Sequence, residues 1–151
     1  MPDLRGLYQE VILDHSKKPR NYRVLEGADH RAEGYNPLCG DRVTIYLKIE
    51  NGKIDELSFQ GSGCAISTSS ASLLTETLKG KTLDEADALF EKFHALVTGG
   101  AGSKLAEDDS LGKLEVFSGV AEFPIRVKCA TLAWHTLRSA LRDDKDTVTT
   151  E

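Results

Sequence analysis

A chain of 151 residues is long enough for one domain with one sizeable core. Apolar residues make up 40% and charged residues 28%, an ordinary balance for a soluble protein. The formal net charge of −5 argues against a dedicated nucleic-acid binder, and no apolar run approaches the roughly 20 residues a membrane helix needs. Residues 1–10 lack a basic region followed by an apolar stretch, so no signal peptide is expected. With only three cysteines, the chain is expected in a reducing cytoplasm.

Leu4, Leu7, Tyr8, Val11 and Ile12 recur at helical spacing, which predicts an amphipathic helix over 4–15 stopped by Pro19. A first strand is expected near 30–35. Val43, Ile45, Leu47 and Ile49 alternate with polar neighbours as in a half-buried strand. Asn51-Gly52 suits a two-residue hairpin turn, and the return strand covers 53–60 with Leu57 and Phe59 on one face. A helix over 65–79 carries Ile66, Leu73, Leu74 and Leu78, although Ser67-Thr68-Ser69-Ser70 are mediocre helix formers that tertiary packing must hold. Gly80 ends it, and Thr82 with Glu85 makes a capping box for a helix over 83–97. Residues 98–120 read as an insertion, and its Gly99-Gly100-Ala101-Gly102-Ser103-Lys104 lacks phosphate-loop spacing. The last helix is expected over 127–141, with Pro124 just before it. The polar tail, 143–151, is expected to fray.

Cys39, Cys64 and Cys129 are all the cysteines in the chain, and an odd count argues against a framework of internal disulfides. With Asp41 they are enough for a tetrahedral metal site. Cys39 and Asp41 face the same way if their segment is extended, and Gly40 between them lets the backbone bend. Cys64 falls at a predicted helix start, where a thiolate is stabilised. Cys129 lies near the start of the last helix, so the same expectation applies. Three thiolates and a carboxylate sum to about −4, and a divalent metal leaves about −2, so nearby cations are expected; Arg42, Arg126 and Lys128 are the candidates. A closed structural zinc site is normally built from tight pairs such as C-x-x-C, which the chain lacks. Cys64 or Cys129 alone reads equally well as a small buried hydrophobe, Cys39 beside Gly40-Asp41 less so, and Asp41 reads also as a turn residue. His15 reads as a helix-end residue rather than a ligand, and His94 and His135 as surface or satisfied positions.

Four segments together resemble the IscU/SufU family of iron–sulfur cluster assembly proteins. They are Tyr8-Gln9-Glu10-Val11-Ile12-Leu13-Asp14-His15 leading into Lys18-Pro19-Arg20-Asn21; Asn36-Pro37-Leu38-Cys39-Gly40-Asp41; Phe59-Gln60-Gly61-Ser62-Gly63-Cys64-Ala65-Ile66-Ser67; and Arg126-Val127-Lys128-Cys129-Ala130. Within the family the chain is similar to the SufU branch. The scaffold branch has a histidine directly before its third cysteine, where this chain has Lys128, and the SufU branch has an insertion before the last helix. The resemblance implies an α+β fold in one domain over 1–151, with a small antiparallel sheet of about three strands packed against helices. It implies zinc on Cys39, Asp41, Cys64 and Cys129, and a SufS-type cysteine desulfurase as partner. The desulfurase would supply a histidine to the zinc and free Cys39 as sulfur acceptor, with Arg126 pairing the freed thiolate or Asp41. Downstream cluster-assembly proteins would follow; neither nucleic acid nor membrane is implied. The competing readings are a scaffold for a transient [2Fe–2S] cluster on the same ligands and a binding module with a structural zinc.

Overall fold

The computed structural model describes residues 4–37, 40–98, 117, 124–141 and 148–149. In chain order these form α1 (Leu4–Lys17), β1 (His30–Asn36), β2 (Asp41–Glu50), β3 (Lys53–Ser62), α2 (Ala65–Leu78), α3 (Leu83–Thr98), α4 (Pro124–Leu141) and β4 (Val148–Thr149). The sheet order is β3-β2-β1-β4. The first three strands are antiparallel neighbours, as expected. Two residues of the tail, expected to fray, instead lie parallel to β1 opposite Gly34 and Tyr35 as β4. Val148 and Thr149 are β-branched, a preference that the polar composition around them hides. Among the described residues no helix is long and apolar enough to cross a membrane.

Strand alternation sends Ala32, Val43, Ile45, Leu47, Leu57 and Phe59 to one face, where all are buried. Helices α2 and α4 cover that face. At Gly34 an added Cβ would come 2.0 Å from Thr136 Oγ1, so α4 crosses β1 where only a glycine fits. The hairpin turns at Asn51 and Gly52, with φ of 54° and 75°, as the pair predicts. The ladder then slips by one residue between Lys48 and Ile49: Ile49 opposes Ile54, but Lys48 opposes Glu56. Asp55 is the extra residue of this bulge.

The serines of α2 are held by partners rather than by propensity. Ser70 Oγ donates to the Ala130 carbonyl at 2.5 Å and accepts from Trp134 Nε1 at 3.2 Å, which ties α2 to α4. Ser72 Oγ accepts from the Arg20 amide at 2.8 Å and lies 2.7 Å from His15 Nδ1. His15 is thus a helix-end residue that is also buried, and its Nε2 lies 3.5 Å from the Glu76 carboxylate. On the other side of α4, Trp134 stacks on Phe93 of α3 at 4.6 Å, and Phe117 meets Phe93 edge-on at 5.7 Å. Phe117 is the described residue of the expected insertion, whose other residues from 99 to 120 lie outside the described set. His94, His135 and Phe90 group their rings between α3 and α4.

Three boundaries differ from expectation by two residues or more. α1 runs to Lys17, as far as Pro19 permits. β3 continues through Gly61 and Ser62, which carries it to the end of the sheet where β2 begins. α4 begins at Pro124 rather than Val127, because proline at the first helical position has no needed N–H to lose and a suitable φ.

Candidate metal centre

The site is built at the end of the sheet where β2 begins and β3 ends. Asn36 and Asp41 are directly opposed as the last rung between β1 and β2, and both are fully buried. Gly40, just before Asp41, turns with φ of 73° and its amide bonds the Asn36 carbonyl at 2.8 Å. The next rung on the other side pairs Arg42 with Ser62, so the chain leaving β3 passes Asp41 at Gly63. An added Cβ on Gly63 would come 2.4 Å from Asp41 Oδ1. Glycine therefore makes room for the carboxylate.

Cys64 follows as the N-cap of α2, and its Sγ accepts from the Ser67 amide at 3.4 Å. Its own amide donates to Asp41 Oδ1 at 2.8 Å, which leaves Oδ2 turned towards Cys64 Sγ at 3.8 Å. Cys129 reaches the same point from α4. A carboxylate oxygen of Asp41 and the sulfurs of Cys64 and Cys129 all lie within 4.8 Å of one another. For tetrahedral zinc, sulfur and oxygen ligands sit about 3.5 Å apart and two sulfurs about 3.8 Å, given the usual bond lengths. The three groups thus come within about 1 Å of the spacing such an ion needs, with a donor set of the right softness. Among the described residues this is the group of three or more that can hold a metal ion. Cys39, the fourth expected ligand, lies outside the described residues.

The thiols are not alike. Cys64 opens to solvent, whereas Cys129 is 1% exposed. The Cys64 thiol is lowered from 9.0 to about 7, chiefly by its hydrogen bond with Cys129. Burial opposes the shift, the Ser67 amide adds to it, the Asp41 charge opposes it and the Ile66 amide adds to it. A lowered thiol at this helix start is the expected direction, but its largest cause is the second sulfur rather than the helix. For Cys129 the helix-start expectation fails. With α4 beginning at Pro124, Cys129 is its sixth residue, beyond the first turn where the helix field acts. Its polar neighbour is Asn36, whose Nδ2 donates to Cys129 Sγ at 3.5 Å.

The expected cations are distributed differently from their sequence neighbours. Arg42 adjoins Asp41 in the chain but points to the opposite face of β2, over the Tyr35 ring at 4.9 Å. Arg126 is exposed in the first turn of α4 and Lys128 is half-buried. Lys128 and Cys129, being consecutive in a helix, diverge by about 100°. Neither Asn36 nor Gly63 was among the expected site residues. The signal for both was their position: each sits in the same short run as an expected ligand.

The sequence profile of the family described as "NifU-like N terminal domain" matches residues 7–130. The iron–sulfur cluster assembly scaffold protein IscU of Streptococcus pyogenes serotype M1 is 40% identical over 139 residues, 92% of this chain and 85% of that protein. The zinc-dependent sulfurtransferase SufU of Bacillus subtilis (strain 168) is 36% identical over 143 residues, 95% of each chain. A crystal structure of a candidate iron–sulfur cluster assembly scaffold protein for the SUF system, from Fervidobacterium islandicum AW-1, superposes with a TM-score of 0.82 at 36% identity, covering 91% of this chain and 98% of that one. A fold and a rim of donors built in this way, matched over most of the chain by proteins of both names, place the protein in the NifU-like N-terminal domain family, among the IscU/SufU proteins.

Proposed function

We propose that this chain is a zinc-dependent acceptor and carrier of persulfide sulfur from a SufS-type cysteine desulfurase. The observation that carries the reading is the meeting of Asp41, Cys64 and Cys129 within 4.8 Å at one end of the sheet. Asp41, Cys64 and Cys129 would hold the zinc with Cys39. Bound there, the ion keeps thiols deprotonated while partly neutralising them. Asp41 is fixed by the Cys64 amide and by burial, so it anchors the site. Cys39, two residues before Asp41 in the chain, is the acceptor. Its thiol attacks the outer sulfur of the desulfurase persulfide; the donor S–S bond breaks, a new S–S bond forms on Cys39, and the donor cysteine leaves as a thiol. No electrons are gained or lost overall. Lys128 in place of a histidine before the third cysteine supports this reading, because an ammonium is no metal ligand. So does the similarity to a protein named a zinc-dependent sulfurtransferase.

A second reading, a scaffold on which a [2Fe–2S] cluster is assembled and transferred, is favoured by the name of the Streptococcus relative. Thiolates suit either metal. The test is to incubate the zinc-loaded protein with the desulfurase and cysteine, then map persulfide by peptide mass spectrometry. Persulfide on Cys39, lost in Asp41→Ala, is the expected result. Persulfide mainly on Cys129 would favour the scaffold, and none on any cysteine would leave a binding module with a structural zinc.

A further inference from the structure

We infer that, when the site holds no metal, Cys64 and Cys129 form a reversible disulfide with a peroxide as oxidant. The two sulfurs lie within 4.8 Å, and they come from elements that other bonds already hold together. Ser70 on α2 binds the Ala130 carbonyl next to Cys129 and accepts from Trp134, so the two backbones keep a fixed separation. Closing from within 4.8 Å to the S–S length of about 2 Å brings the two side chains together across that tie. Cys64 is the free partner. The residue is exposed, and besides the neighbouring Cys129 sulfur its thiol makes long contacts to the Ser67 amide at 3.4 Å and Asp41 Oδ2 at 3.8 Å. Cys129 is 1% exposed, so a peroxide meets the exposed Cys64 first.

This is a division of labour between an exposed sulfur that is oxidised and a buried one that resolves it. The Cys64 thiol attacks one oxygen of hydrogen peroxide. The O–O bond breaks, an S–O bond forms, water leaves, and Cys64 becomes a sulfenic acid. The Cys129 thiol then attacks that sulfur; the S–O bond breaks, the S–S bond forms, and a second water leaves. Two thiols are oxidised and one peroxide is reduced to two waters. The product ties the first residue before α2 to the second turn of α4 and removes two of the three converging donors, so metal cannot load until a thiol reduces it. This consequence rests on the metal reading above, whereas the cross-link itself does not.

The test treats metal-free full-length protein with one equivalent of hydrogen peroxide, alkylates free thiols, and digests with trypsin without reduction. The three cysteines fall in separate peptides, 32–42, 54–79 and 129–138. The expected result is 54–79 linked to 129–138, with 32–42 alkylated, and the link lost on adding dithiothreitol. Chain entropy in the unfolded state favours the shorter loop between Cys39 and Cys64, so the same oxidation in urea should change the pairing. Cys39 in the dominant disulfide of the folded protein, or Cys64 as a sulfinic acid without a link, would overturn the inference. In Cys129→Ser a dimedone adduct should accumulate on Cys64; equal adduct in the unsubstituted protein would show that Cys129 does not resolve it. Zinc-loaded protein should keep its thiols, and cross-linking at an unchanged rate would refute the link to metal loss. No arm uses a desulfurase, so failure here and failure of sulfur acceptance are read separately.

Discussion

Gly63→Ala should loosen zinc without unfolding the protein. The added Cβ would stand 2.4 Å from Asp41 Oδ1 and 2.9 Å from its carboxyl carbon, where ordinary contact begins at 3.4 Å. The carboxylate, or the backbone of residues 62–64, has to give by about 1 Å. Either movement breaks the 2.8 Å bond from the Cys64 amide to Oδ1, the contact that aims Oδ2 at the sulfurs. A hydrogen bond to a charged acceptor contributes about 1.5–3 kcal/mol, and each 1.4 kcal/mol is about tenfold in an equilibrium constant. Loss of such a supporting partner costs metal sites about 10- to 100-fold in affinity, and the two figures agree. The assay is competition with a chromophoric zinc chelator, with thermal unfolding in excess chelator reporting the metal-free fold. The expected outcome is a zinc Kd raised about 10- to 100-fold, with a cooperative metal-free melt retained. A Kd within about twofold of the unsubstituted protein, under 0.5 kcal/mol, would refute the placement of Asp41 beside the metal.

Ser72→Ala leaves the Arg20 amide and His15 Nδ1 without their shared oxygen. It should cost about 1–3 kcal/mol, and hydrogen exchange should show the loss first at the contact of α1 with α2. Trp134→Ala, at a fully buried position, should cost about 3–5 kcal/mol in urea unfolding. His135 is held below its ordinary value of 6.5 by burial first, then by the charges of His94 and Arg138. Its unfolded form therefore binds a proton at higher pH than its folded form, so stability is full above about pH 6.5 and falls as pH drops towards the folded value. Urea midpoints measured from pH 7.5 to 5.5 should decline, and His135→Phe should flatten part of that decline.

The strands and helices were legible where periodicity was strong, as in the alternation of Val43, Ile45 and Leu47 and the capping box, in which Glu85 N bonds Thr82 Oγ1 at 3.1 Å. The buried serines of α2 were not, because their partners, Ala130, Trp134, Arg20 and His15, are far away in the chain. Polar residues at core positions look like surface until those partners are known. The meeting of Asp41, Cys64 and Cys129 was legible from the family resemblance more than from spacing. The helix-start argument gave the right direction for Cys64 and failed for Cys129, because Pro124, placed just before the helix, is the first residue of α4. Arg42 misled for a simpler reason: neighbours along a strand face opposite ways, so nearness in sequence set it against Tyr35 and not at the site.

The bulge is what sets the register that brings Gly63 and Cys64 beside Asp41 in the candidate metal centre. Asn51-Gly52 fixes the first rungs, with Glu50 opposite Lys53 and Ile49 opposite Ile54. Continued without interruption, that register would set Ser62 against Asp41, and Cys64 would lie one residue too far along. The extra residue, Asp55, advances β3 by one, so Arg42 meets Ser62 and Gly63 comes beside Asp41. A glycine falls where the carboxylate needs space, and the next amide falls where Oδ1 needs a donor. The same slip keeps the buried side of β3 apolar, because Ile54, Leu57 and Phe59 are all buried although a regular strand would alternate them. That irregular spacing, a gap of three and then of two, was present in the sequence as the mark of the bulge. Core packing and ligand placement therefore impose the same register, and a change that restored regular alternation would damage both.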